Sequence, residues 1–151
     1  MSFSRYLPLT IMAATLAFSQ SPESVRKEIE ASYVRALEAT RNARSTADLD
    51  EINRTFDTAD WLSITPGQQP RHWEDLRKYP FEELLAPSQS AELIIDTFEV
   101  TGDTAVLTGK LKNVNMKGDV AYIPLKETWK HTVIGWKRQI HQKFRAGETP
   151  K

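Results

Sequence analysis

Between Val25 and Thr40 the apolar and small positions fall at Val25, Ile29, Tyr33, Ala36, Leu37 and Thr40, three or four residues apart, so one stripe runs down one face of a helix. Ser21-Pro22-Glu23 supplies its start: a hydroxyl to accept an orphan N–H, a proline whose missing donor costs nothing in the first turn, and an acid near the positive end of the dipole. The stripe ends near Ala43. Ser45 with Asp48 three residues on is a capping-box-like restart, and Leu49, Ile52 and Phe56 form a second, shorter stripe. Two consecutive amphipathic helices cannot bury their stripes alone, so they require a partner surface, most economically a sheet.

The period then changes to two. From Ala59 to Thr65, Trp61, Ser63 and Thr65 alternate with Leu62 and Ile64, which predicts a strand ended by Pro66-Gly67. Pro70 opens a third helix with Trp73, Leu76 and Tyr79 on one face, interrupted at Pro80. Phe81, Leu84 and Leu85 make a last apolar turn before Pro87. Short helices of this kind often lid a cavity. Further on, Ala91–Thr101 and Ala105–Asn113 read as a hairpin about Gly102-Asp103, with a loop at Asn115–Asp119. Val120–Thr132 and Trp136–Phe144 read as the last two strands, with Gly135 between them. Strands joined in sequence by short turns give an antiparallel meander, here after a helical first half, so the fold class is α+β.

Residues 1–19 differ from this texture: a lone cation at Arg5, an apolar run from Tyr6 to Phe18, and the small-x-small pattern Ala17-Phe18-Ser19. This is the pattern of a secretory signal peptide, and the apolar run is short for a membrane span of ~20 residues. The expectation is a leader at residues 1–19, one domain at residues 20–144, a polar tail at residues 145–151, and a secreted or periplasmic destination. The competing reading is an uncleaved anchor. Twenty basic and twenty acidic residues leave no net charge, which argues against nucleic acid or an anionic membrane surface as the main partner. No cysteine is present, so there is neither a thiol nucleophile nor a disulfide framework. Neither a Gly-rich phosphate loop nor a metal-ligand spacing occurs among the three histidines, and no cofactor or metal is expected.

The candidate chemistry is sparse. On the strand Val120–Thr132, His131 is in phase with Glu127 and Trp129, so a concave face there would hold an imidazole, an acid and an aromatic as a possible acid/base set. The plainer alternative is an exposed histidine near a strand end. His141 has the opposite phase to Trp136 and is expected on the other face of its strand, at the surface or a dimer interface. His72 begins the third helix beside Trp73, and Asp57 and Asp60 straddle the junction of helix and strand, where capping and turn formation are their ordinary work. Tyr33, Trp61, Ser63, Thr65, Trp73 and Trp129 together offer aromatic bodies and hydroxyl tips, as the wall of a small-molecule pocket does.

In order and spacing, Ala31-Ser32-Tyr33-Val34, the run Leu49–Thr65 containing Phe56-Asp57-Thr58-Ala59-Asp60-Trp61, Gly102-Asp103-Thr104-Ala105-Val106 and Gly135-Trp136-Lys137 resemble the nuclear transport factor 2-like superfamily, especially its SnoaL-like and ketosteroid-isomerase-like branch. The resemblance covers about Ser24 to Phe144. It implies a cone, in which three helices pack on a strongly curved, mainly antiparallel sheet and leave a pocket between them. In isomerase-like relatives the base is an aspartate just before the proline that ends the first strand, and Thr65 stands there; the oxyanion-side tyrosine does have a match in Tyr33. The last strand also departs, since relatives carry a histidine in phase with its tryptophan, where Arg138, Ile140 and Gln142 follow Trp136. The resemblance therefore implies an exported small-molecule-binding or accessory domain. The alternative is a cyclase-, isomerase- or dehydratase-like enzyme using a histidine–carboxylate pair. Such relatives often form homodimers through the sheet, and Val106, Ile123, Leu125 and Ile140 are the positions that would permit it.

Overall fold

A computed structural model describes residues 20–85 and 87–151, so the leader expected at residues 1–19 lies outside the described residues. Helix α1 (Pro22–Asn42) starts as the sequence predicts, with the Ser21 hydroxyl accepting the Ser24 N–H at 3.2 Å. Helix α2 (Thr46–Phe56) starts the same way, Ser45 accepting from Asp48 N at 3.2 Å. The reciprocal half of the box is displaced by one residue: the Asp48 carboxylate accepts from Arg44 N at 2.7 Å. The described residues form six strands, β1 (Asp57–Ile64), β2 (Arg71–His72), β3 (Ser88–Thr101), β4 (Thr104–Asn115), β5 (Val120–Thr132) and β6 (Gly135–Lys143). They form one sheet in the order β2-β1-β6-β5-β4-β3, antiparallel throughout except for the parallel pair β1–β6.

The segment after Pro70 departs from the expected helix. Arg71-His72 pairs with Ser63-Leu62 as β2, and the helix that follows, α3 (Trp73–Leu76), is one turn. Its position is held from α2: Asp50 accepts from Trp73 Nε1 at 2.7 Å and from Arg77 Nε and Nη2 at 2.9 and 2.8 Å. A second single turn, α4 (Phe81–Leu84), follows Pro80. Among the described residues the helical content is thus two long helices and two short turns.

The sheet bends because β3 and β4 carry a matched irregularity. The register slips between Ile95 and Thr97, leaving Asp96 as an extra residue, so Leu93 and Ile95 face the core before it and Phe98 and Val100 after it. Gly109 lies across from this slip, and a Cβ there would sit 2.0 Å from the Ile94 carbonyl oxygen. The absence of a side chain is what lets the strands close to this distance. The concave face packs Ala105, Leu107, Leu125, Trp129 and Trp136 against Val25, Ile29 and Tyr33 of α1. Leu125 is therefore core, and Ile123, paired with cavity-lining Leu111, is in phase with it. Of the positions expected to support a dimer face, Val106 and Ile140 remain on the convex side.

Candidate functional site

The pocket expected between sheet and helices is present as a cavity of about 630 Å³. Tyr33, Trp61, Ser63, Thr65 and Trp73 all line it, together with Leu37, Leu49, Ile52 and Leu111. Trp129 does not reach this space; it borders a smaller void of about 100 Å³ beneath it, shared with Tyr33, Asp57 and Arg138. Thr65 stands at the mouth end of β1, and its carbonyl closes the Pro66-Gly67 turn by accepting from Gln68 N at 3.1 Å.

The histidine of this cavity is a different one from that expected. His131 is exposed, its ring 5.2 Å from that of Trp136, and it borders a separate hollow with Gln20, Pro22 and Asp103. It shares the phase of Glu127 but lies beyond the end of the core, so the two are not brought together. His141 lines the main cavity instead, and its Nδ1 is 2.6 Å from Glu127 Oε1. The reason is a bulge. Glu127 stands opposite His141 and Thr128 opposite Ile140, but Trp129 stands opposite Arg138, so Gln139 is an extra residue in β6. Trp136 and Arg138 face inward before it, and His141 and Lys143 face inward after it. A strict period of two, counted from Trp136, places His141 on the wrong face.

Cross-strand pairing then sets the residues in rows. Arg71, Ser63, His141, Glu127 and Leu107 follow one another across five strands, and Asp57, Arg138, Trp129 and Ala105 form the neighbouring row. Glu127 is fully buried, and its carboxylate accepts from Trp129 Nε1 at 2.9 Å and lies 3.4 Å from Arg138 Nη1. Arg138 Nε also donates to Asp57 Oδ1 at 2.9 Å, and Asn53 Nδ2 to Asp57 Oδ2 at 3.1 Å. The guanidinium lies over the Trp61 ring, 5.6 Å from its centroid. Asp57 is thus more than a helix terminator: its side chain, 6% exposed, closes one end of a buried charge chain.

The ionisation states follow from these contacts. Burial pushes the Glu127 carboxyl up, but the His141 hydrogen bond and the charge of Arg138 outweigh it and hold the group below the usual carboxylate range. Burial lowers the basicity of His141 more than Glu127 restores it, so the ring is neutral near neutral pH. An ionised Glu127 only accepts, so His141 Nδ1 carries the hydrogen and Nε2 carries the free lone pair. Burial, followed by the charge of Glu127, pushes the Tyr33 phenol far above its ordinary value, which keeps it a neutral hydrogen-bond donor. His72 lies apart from this group, its Nδ1 3.0 Å from the Trp61 carbonyl oxygen. Among the described residues no cluster of three His, Cys, Asp or Glu side chains could hold a metal ion.

No protein-family model matches the sequence, and no curated protein matches it. Solved structures do match the fold. A provisionally assigned ketosteroid isomerase from Parabacteroides distasonis superposes with a TM-score of 0.57 at 16% identity, over 83% of this chain and 94% of that one. A provisionally assigned dehydratase of the nuclear transport factor 2-like family from Streptomyces avermitilis gives 0.56 at 16% identity, over 82% and 96% of the two chains. A nuclear transport factor 2-like protein with a cystatin-like fold from Novosphingobium aromaticivorans gives 0.56 at 15%, over 82% and 84%. The chain has the nuclear transport factor 2-like fold, an α+β cone around a pocket.

Proposed function

We propose that the protein is an exported small-molecule enzyme that moves a proton on a ligand held in the cone, as a lyase or isomerase does, with His141 as the base. The observation that carries this reading is the 2.6 Å contact between His141 Nδ1 and Glu127 on the wall of the cavity. A carboxylate that fixes the ring by Nδ1 leaves Nε2 to accept a proton from a C–H next to a carbonyl, and its charge stabilises the imidazolium that results. Tyr33, a neutral donor on the same cavity, can hydrogen-bond the oxygen on which charge develops. Stability alone does not account for the network, because buried ion pairs are often replaced by apolar side chains at no loss. Buried carboxylate and imidazole groups with displaced ionisation in a cleft are instead a common mark of a working site.

The experiment offers the purified protein enolisable ketones and 3-hydroxycarboxylates in deuterated water and reads deuterium uptake or dehydration by NMR. His141→Gln should slow any reaction found by about 10²- to 10⁴-fold. A rate unchanged in His141→Gln would remove the proposal. Thr65, standing where the resemblance puts the base, favours a second reading, a binding or accessory domain without chemistry. Probes that bind but never exchange above the buffer rate would select it. Export rests on the pattern of residues 1–19, and N-terminal sequencing of the protein recovered from cells tests it: cleavage near Ser19 is expected.

A further inference from the structure

We infer that the cavity takes an apolar carboxylate, its anionic group held between Lys143 and Arg71 and its body against the helices. The inference uses the cavity of the proposed function but does not depend on proton transfer there. Five charged side chains line the space: Asp57, Glu83, Arg71, Arg138 and Lys143. Asp57 pairs with Arg138, which also serves the buried Glu127, so that cation is engaged by two acids. Glu83 is exposed on the lid turn α4.

Two cations remain. Arg71 hydrogen-bonds the neutral Gln68 side chain and lies over Tyr79, 5.7 Å from the ring centroid, and it has no ion pair among the described residues. Lys143 is half-buried and has neither a hydrogen bond nor an ion pair among the described residues. Burial, and then the charges of Arg138 and Arg71, make it less basic than an ordinary lysine. Like charges directed into one partly enclosed space repel, and an anion placed between them relieves both the repulsion and the unmet hydrogen-bond donors.

Leu37, Leu49, Ile52, Leu76, Leu84 and Leu111 supply the apolar part of the lining, which suits a hydrocarbon or aromatic body. Lys143 follows His141 by two residues on the same face, about 7 Å along the strand. A carboxylate at Lys143 therefore lays its next few carbons beside His141.

The test compares naphthalene-2-carboxylate with its uncharged methyl ester, following quenching of tryptophan fluorescence. The carboxylate should bind more tightly than the ester, and Lys143→Met should weaken it about ten- to a hundred-fold, the worth of a charge-assisted hydrogen bond, leaving ester binding unchanged. Lys143→Arg should restore the preference, and Arg71→Gln should weaken it in the same direction; melting curves confirm that each variant folds. Equal binding of both probes, binding of neither, or an equal loss for both in Lys143→Met would overturn the inference. Turnover is not read, so the proton-transfer proposal can fail while the carboxylate preference stands, and the reverse.

Discussion

Replacing Arg138 by methionine keeps much of the length of the side chain and removes a cation that serves two buried acids. Asp57 and Glu127, with side chains 6% and 0% exposed, would lose contacts of 2.9 and 3.4 Å. Leaving a buried charge without its partner costs about 3–5 kcal/mol, against a total stability of roughly 5–15 kcal/mol for a domain. With a melting entropy of about 2.1 cal/mol/K per residue over roughly 130 folded residues, the melting temperature should fall by ~11–18 °C. The loss has a pH signature. In the native protein the Glu127 carboxyl lies below its unfolded value, so its contribution is present above about pH 4.3 and is lost as pH falls through the folded value. Without Arg138, burial, the largest influence on Glu127, is opposed only by the His141 and Trp129 contacts, so the carboxyl moves upward. A raised group costs stability as pH rises, so the deficit of Arg138→Met should be greater at pH 8 than at pH 5. Urea denaturation at both values measures it, and the double variant with Glu127→Gln should recover part of the loss. A deficit under ~1 kcal/mol would refute the reading of these residues as one buried network; so would a deficit equal at both pH values.

Two further outcomes follow from the frame around the site. Gly109→Ala puts a methyl group 2.0 Å from the Ile94 backbone oxygen, which no rotamer change relieves, so about 3 kcal/mol or more should be lost in thermal or urea unfolding. An alanine variant as stable as the parent would mean that the bend is not set there. Asp50→Asn should release α3: Arg77 and then Trp73 hold the Asp50 carboxyl down at about 2, so the latch is present above the ordinary carboxylate range near pH 3.9 and is lost as pH falls toward 2. Hydrogen exchange of the amides of residues 71–79 should speed up by about tenfold or more with β4 and β5 unchanged, and unaltered exchange would remove the latch.

The long elements were legible because each is under one periodicity from end to end. The α1 stripe, the caps at Ser21 and Ser45, and the alternation of β1, β4 and β5 survive in the structure to within a few residues. Failures fall where a short segment is decided by its neighbours. Arg71-His72 reads locally as the opening of a helix after Pro70, and becomes a strand because the free edge of β1 at Leu62 and Ser63 offers it a ladder. Leu125 reads as one of several alternating apolar positions, and only the pairing of the whole sheet fixes which face it takes.

The site was half legible for the same reason. Tyr33, Trp61, Ser63, Thr65 and Trp73 reach the cavity, and the alternation read from Trp61 to Thr65 holds although the pairing of β1 with β6 shifts between Asp57 and Leu62. The charged half was hidden by a single extra residue at Gln139, which turns His141 and Lys143 inward, while His131, in perfect phase with Glu127, lies beyond the end of the core. One signal was available. Counting Trp136, Arg138, His141 and Lys143 with one residue skipped gives a strand whose inner face is an aromatic followed by three nitrogen bases, and such a face requires acids opposite. Asp57 and Glu127 are the acids that the partner strands supply at those rows. A search for charge complementarity across strands, run with one bulge allowed, would have selected His141 over His131. Bulges next to working sites are common enough that the allowance is a physical one: the extra residue re-aims a side chain that strict alternation would send to solvent.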